Sequence, residues 1–213
     1  MSDHARHDSV RRSYDAVAEE YATRLHDELT GKPLDRALLA ALLEQTAPDA
    51  AIADLGCGPG HVAAWLAGQG ARAVGIDLST GMLEAGRRRF PDVEFREGDL
   101  LGLPARDGEF GAAVAFYTLI HLDPGDLRRA LDEAARVLRP SGLLLLAFQA
   151  GTEVRHLRQW WGHEVDVEFR LLEPGHVAEV LEAAGFAVEM RLERAPYAHE
   201  TQQRAYLLAR RHD

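Results

Sequence analysis

Cysteine is almost absent from this chain: Cys57 stands alone among 213 residues, so no internal disulfide can form. Basic residues are also in deficit, with 24 Lys and Arg against 34 Asp and Glu, a net charge of −10 at pH 7. That balance disfavours a duplex nucleic-acid binder, which needs clustered cations to neutralise phosphate. No apolar run reaches the roughly 20 residues required to span a bilayer. The N-terminal MSDHARHDSVRR is charged with no apolar segment behind it, so it reads as a frayed lead-in and not as a secretion signal. These absences together predict a soluble, cytoplasmic protein that engages neither membrane nor nucleic acid. His4 and His7 have helix-like spacing but no third ligand nearby, so no metal site is read. No internal repeat or low-complexity segment is present, and the length suits one domain with a sizeable core.

What the chain does contain is organised around ADLGCGPG at 53–60. A short apolar run ending at Ala53 leads into it, and 61–67 is a helical pattern closed by Gly68. Gly56, Gly58 and Gly60 remove three Cβ atoms where the backbone turns, so a ligand can rest against bare main chain and helix N–H groups.

The same rhythm then repeats. Strands are expected at 71–79, 93–96, 111–117 and 143–148, and helices at 81–90 and 124–138, with Pro140 and Gly142 closing the latter. Ahead of the glycine turn, 8–29 carries an amphipathic stripe of one helix or a broken pair, and 34–45 a second helix. The segment 149–172, with Trp160, Trp161 and Phe169, is too long for a simple connection and reads as a cap. A helix at 175–184 and strands at 186–193 and 203–210 complete the chain, the last two as an antiparallel pair. Alternating strands and helices at this spacing define a doubly wound α/β sheet.

Two ligand classes use such a turn. A dinucleotide site wants G-x-G-x-x-G and an acid about 20 residues on; here His61 stands where its third glycine would fall. Asp77, ending the second strand, suits either class, because both ligands have a ribose diol. Asp54, two residues before the first glycine, faces a cationic ligand better than a pyrophosphate, the rival role being a cap on the following helix. Gly98-Asp99 sets another acid at the end of the third strand, where an adenine amine can donate to it.

The stretches DLGCGPG at 54–60, VGIDLS at 74–79 with Met82 following, GDL at 98–100, AFYTLIHL at 115–122 and RVLRPSGLLLLAF at 136–148 resemble the class I S-adenosylmethionine-dependent methyltransferases of small-molecule type. SYDAVAEEYA at 13–22 is similar to the first helix of many such enzymes. The resemblance implies a three-layer Rossmann-like sandwich whose seven-stranded sheet has the order 3-2-1-4-5-7-6. It implies a single domain over 1–213, with the helices of 8–46 and the cap 149–172 covering the site. The implied cofactor is S-adenosyl-L-methionine, the product S-adenosyl-L-homocysteine, and the acceptor a small molecule methylated on O, N or S.

Carried across, Asp54, Gly56, Cys57 and Gly58 would line the methionine end, and Asp77 would take the ribose hydroxyls. Gly98 and Asp99 would meet the adenine amine, with Leu78, Met82 and Leu100 sandwiching its ring. Phe116 and Tyr117 would form the floor below the methyl, and Tyr14 and Tyr21 would close over the carboxylate. Cys57 itself reads as a small buried filler and not a nucleophile. His121, four residues past the fourth strand, is the candidate general base, its rival role being a turn cap. Two other readings stand beside methyl transfer: an NAD(P)-dependent oxidoreductase, and a cofactor-binding module without turnover. The roles of Glu200 and His199 in the last hairpin loop stay open between substrate and water.

Overall fold

A computed structural model describes residues 3–213 except His199, with side chains from residue 6 onward. His199 and the His4 side chain therefore lie outside the described residues. Seven strands form one sheet: β1 (Ala51–Leu55), β2 (Ala73–Asp77), β3 (Glu94–Glu97), β4 (Phe110–Phe116), β5 (Leu138–Gln149), β8 (Phe186–Arg194) and β9 (Arg204–Arg211). Their order is β3-β2-β1-β4-β5-β9-β8. The intervening β6 (Val154–Trp160) and β7 (His163–Arg170) form a separate two-stranded hairpin. With those two set aside, the order is the expected 3-2-1-4-5-7-6. β9 runs antiparallel to both β5 and β8, and the remaining pairs are parallel.

The central strands are apolar throughout because helices cover both faces. AIADL in β1 is buried at every position. On one face, Leu127 and Leu131 of α5 (Pro124–Val137) and Val177 and Leu181 of α6 (Pro174–Ala183) pack against Leu144 and Leu146. On the other, Leu39 and Leu42 of α2 (Pro33–Gln45), Val62 and Leu66 of α3 (His61–Gly68), and Leu83 of α4 (Thr80–Arg89) pack against Ile52, Val114 and Leu145. Proline in the first turn opens α2, α5 and α6, where its missing N–H costs nothing. Ser79 caps α4 by accepting from Met82 N, and Asp123 caps α5 by accepting from Asp126 N.

Three expectations change. The N-terminal stretch is helical from the first described residue: α1 runs Asp3–Leu25, followed by a 3-10 turn, Glu28–Gly31. Its first turns are held by Arg6 on Asp123 and by His7, which bridges Asp99 and Asp126. Those partners come from β3 and α5 regions that a local reading cannot pair with residue 7. β5 begins at Leu138, earlier than expected, because Leu138 pairs with Phe110; Pro140 and Gly142 lie inside the strand's span. The cap is a hairpin laid along α1, where Val165 and Val167 meet Val17 and Ala18.

Candidate active site

The carboxyl ends of β1, β2 and β4 open onto one cleft with about 1080 Å3 of atom-free space, part of it open to solvent. It lies where connections leave the sheet in opposite directions, the usual ligand position in such folds. α1 covers it through His7, Val10, Tyr14 and Tyr21, and the hairpin packs on α1. Of the fourteen cofactor positions and one base read from sequence, all but Met82 line it.

The glycine turn forms the cleft wall. Gly56, Gly58 and Gly60 all have positive φ, at 67°, 54° and 80°. A Cβ on Gly56 would stand 2.0 Å from Thr118 Oγ1, so the main chain of the turn packs directly against the Thr118 side chain at the β4 exit. A Cβ on Gly58 would meet only Tyr21, at 3.9 Å, so its main chain faces open cleft. Bare backbone beside a cavity is what a flat or extended ligand needs.

Asp77 ends β2 half-buried. Its two oxygens each accept one backbone N–H, from Gly58 and from Ser79, both at 2.8 Å. Burial raises its pKa, an effect the two N–H bonds oppose. Each oxygen retains a free lone-pair direction for a hydroxyl donor. Leu78 and Leu100 line the cleft beside it, and Gly98 and Asp99 close that end. Asp99 accepts from Leu101 N at 2.9 Å and lies 3.1 Å from His7 Nδ1, so α1 reaches the acid expected to read the base.

Asp54 is only 2% exposed and accepts from Ala63 N at 2.9 Å, in the first turn of α3. Burial, offset in part by His61 and that bond, pushes its carboxyl up to about 7. It caps a helix and also lines the cleft, so its two readings are compatible. Cys57 is buried, and burial raises its thiol well above the ordinary value, as a filler requires.

Met82 is fully buried between α4, α1 and β7, against Val17, Ala18 and Val165, so it serves packing and not the cleft. Tyr14 lines the cleft and also reaches the candidate base. Its hydroxyl lies 2.7 Å from His121 Nε2, while His121 Nδ1 lies 3.0 Å from the Glu168 carbonyl of β7. A carbonyl only accepts, so Nδ1 carries the proton and Nε2 accepts from Tyr14. Burial lowers His121 to about 4, which keeps the ring neutral near pH 7. Tyr21 lines the cleft, with Trp160 and Trp161 at 5.8 and 6.0 Å between ring centroids.

The floor carries residues that motif reading missed. Tyr117 follows β4 with φ 58°, an uncommon conformation for an aromatic residue. Its hydroxyl donates to Asp35 at 3.2 Å, and Tyr206 donates to the other Asp35 oxygen at 2.7 Å. Lys32 Nζ lies 4.2 Å from the Tyr117 ring centroid and 2.6 Å from Glu28 Oε1. Lys32 is the only lysine in the sequence, the other 23 basic residues being arginine; that singularity was the available signal. The Glu200 side chain is turned inward, 3% exposed, and paired with Arg194.

The cradle fits an adenosyl ligand with a short charged tail: bare glycine backbone, a two-oxygen acceptor for a diol, a second acid for an amine, and no arginine among the described lining residues to hold a diphosphate. Residues 52–142 match the family model described as a methyltransferase domain. Less than half of the chain thus carries a methyltransferase-domain match, and the sheet order and glycine turn are similar to those of the class I S-adenosylmethionine-dependent methyltransferases. Among particular relatives, it is 36% identical over 136 residues to the demethylmenaquinone methyltransferase of Beutenbergia cavernae, covering 63% of this chain and 55% of that protein. The chain spans from 34% to 59% of the length of the curated relatives it matches. Its fold is similar to that of Burkholderia thailandensis 1,6-didemethyltoxoflavin-N1-methyltransferase, solved with 1,6-didemethyltoxoflavin and S-adenosylhomocysteine. That likeness has TM-score 0.78 at 21% identity and covers 100% of this chain and 92% of that one. An S-adenosylmethionine-dependent methyltransferase from Methanosarcina mazei aligns with TM-score 0.72 at 18% identity, over 81% and 97%. No helix among the described residues is long and apolar enough to cross a membrane.

Proposed function

We propose that the protein is an S-adenosyl-L-methionine-dependent methyltransferase acting on an O, N or S atom of a small molecule. When bound, the cofactor supplies a methyl group activated by a sulfonium sulfur. The chain's own task is to align and to exclude water, since displacement at carbon demands orientation above all. Asp77 holds the ribose, Asp99 with Leu78 and Leu100 holds the base, and Gly56 and Gly58 leave room for the sulfur. Phe116 and Tyr117 support the reacting region from below, while α1, braced by the hairpin, covers it.

His121 is the proposed base. Its ring is neutral at pH 7, and Nε2, the unprotonated nitrogen, accepts from Tyr14 and would take the acceptor's proton in place of that bond. The observation that carries the reading is Asp77, whose two oxygens are fixed by Gly58 and Ser79 with a lone pair each left over beside bare glycine backbone. A nicotinamide oxidoreductase shares that feature but needs a diphosphate site at the glycine turn, which Asp54 beside that turn disfavours. Calorimetry separates the two: S-adenosylhomocysteine should bind at micromolar concentration and NAD should not. The module without turnover is excluded once S-adenosylhomocysteine accumulates from S-adenosylmethionine in the presence of one member of a phenol, amine and thiol panel. Tight binding of NAD, with no response to S-adenosylhomocysteine, would overturn the proposal.

A further inference from the structure

The hairpin meets α1 through more than apolar packing. It contains only β6 and β7, so the second edge of β7 has no strand beside it. In a strand, the main-chain N–H and C=O of alternate residues point to the same edge. Asp166 and Glu168 are such a pair, and side chains take up their groups where a strand does not. Ser13 Oγ accepts from Asp166 N at 2.9 Å, and Ser9 Oγ donates to the Asp166 carbonyl at 2.8 Å. Two positions on, His121 Nδ1 donates to the Glu168 carbonyl at 3.0 Å. Ser9 and Ser13 lie one turn apart on α1 and are 6% and 3% exposed. Ser13 also donates to the Ser9 carbonyl at 2.8 Å, so its own helix aims its hydroxyl.

The two serines therefore hold one residue of β7 by both of its main-chain groups. Beside them the interface is not filled: Ser9, Val10, His121 and Asp166 border a gap with about 660 Å3 of atom-free space, part of it open to solvent. The apolar contacts of the hairpin, Val165 and Val167 on Val17 and Ala18, lie further along α1. Apolar contact is non-directional, whereas a buried N–H or C=O without a partner is costly. The serines thus fix the register of β7 along α1, and with it the place of the Glu168 carbonyl.

That register matters to His121 because its ring nitrogens are not equivalent. Which nitrogen carries the proton is set by the acceptor beside it, and the other keeps the lone pair. With the Glu168 carbonyl on Nδ1, the lone pair is on Nε2, the nitrogen that Tyr14 reaches from the cleft. With that carbonyl withdrawn, Nε2 can donate to the Tyr14 oxygen, and the lone pair passes to Nδ1 on the hairpin side.

We propose that Ser9 and Ser13 are positioning residues for the reaction: they seat β7 so that its main chain sets the His121 tautomer in which Nε2 serves as base. This rests on the base role given to His121 above. The hairpin then acts on the chemistry through a backbone carbonyl, without touching acceptor or cofactor.

Proton–nitrogen correlation spectra of protein carrying 15N-labelled histidine read the tautomer, the His121 signal being the one lost in His121→Ala. Wild-type His121 should carry its proton on Nδ1; a proton on Nε2 would overturn the proposal, and this needs no variant to fold. In Ser9→Ala with Ser13→Ala, the fraction protonated on Nδ1 should fall to about half or less. Val167→Ala loosens the same hairpin but keeps all three hydrogen bonds, so its Nδ1 fraction should match wild type. Equal changes in these two variants, or none in the serine variant, would refute the positioning role. With the panel member that is methylated, the serine variant should lose about tenfold or more in kcat, its KM for S-adenosylmethionine staying within about twofold; an unchanged kcat would also refute it. His121→Ala keeps the two readings apart: full turnover without the imidazole would remove the base role, and the catalytic purpose of the seat with it, whatever the tautomer.

Discussion

Replacing Asp77 by Asn separates the charge of this side chain from its shape. In the wild-type protein each oxygen accepts one backbone N–H at 2.8 Å, from Gly58 and Ser79. Asparagine keeps one acceptor and turns its NH2 toward the other N–H, so one backbone bond is lost, at a cost of about 1 kcal/mol. The charge that burial penalises disappears at the same time, which offsets that cost. Stability should therefore change by no more than about 1 kcal/mol, a shift of roughly 2–4 °C in Tm for a chain of this size. Cofactor binding has no such offset. Asp77→Asn loses at least one hydroxyl bond to a charged acceptor, about 1.5–3 kcal/mol, or a 10- to 150-fold rise in Kd for S-adenosylhomocysteine. Isothermal titration calorimetry beside thermal unfolding reads both quantities. A Kd within threefold of wild type, in a protein whose Tm has not moved, would refute the ribose assignment.

Asp54, raised to about 7 in the folded state, contributes stability fully below the ordinary carboxylate pKa and loses it as pH rises through 7. Asp54→Asn keeps the bond from Ala63, so its stability relative to wild type should grow between pH 4 and 7 and level off above, as denaturant titration would reveal; a constant difference would contradict this. Glu200 shifts the other way: burial pushes it up, but Arg194 and the Tyr197 N–H together lower it to about 2. Its contribution is present above about 4.5 and is lost as pH falls through 2, so Glu200→Gln should cost about 3 kcal/mol at pH 7 and little near pH 2. Cys57, at 4% exposure, should resist a disulfide reagent at pH 8 until the chain is unfolded; stoichiometric labelling of the native protein within minutes would show that the turn opens. The His121 ring, lowered to about 4, should show no NMR titration between pH 6 and 8.

The sheet was legible because its signals are local. A buried apolar run, a glycine turn and an amphipathic helix repeat along the chain, and each acid at a strand end follows from that register. The Asp77 and Asp99 positions needed nothing beyond the ends of β2 and β3. What stayed hidden depends on partners distant in sequence. His7 helps hold the start of α1 through acids 92 and 119 positions away. Tyr14 lines the cleft, but its contact with His121, 107 positions on, was not legible. Met82 has the right spacing for the cleft, but α1 and β7 bury it from above, which the local pattern of α4 cannot reveal. Pro140 and Gly142 resemble a helix stop and nothing more, because only pairing with β4 extends β5 back to Leu138. Asp35 sits in a helix as an ordinary early acid until Tyr117 and Tyr206 close on it from β4 and β9.

The most direct measurement is a crystal structure of the protein soaked with S-adenosylhomocysteine. The account predicts both ribose hydroxyls on Asp77, the base between Leu78 and Leu100 beside Asp99, and the thioether against Gly56 and Gly58. Electron density that left this cleft empty at saturating ligand, or placed the nucleoside elsewhere on the molecule, would contradict it.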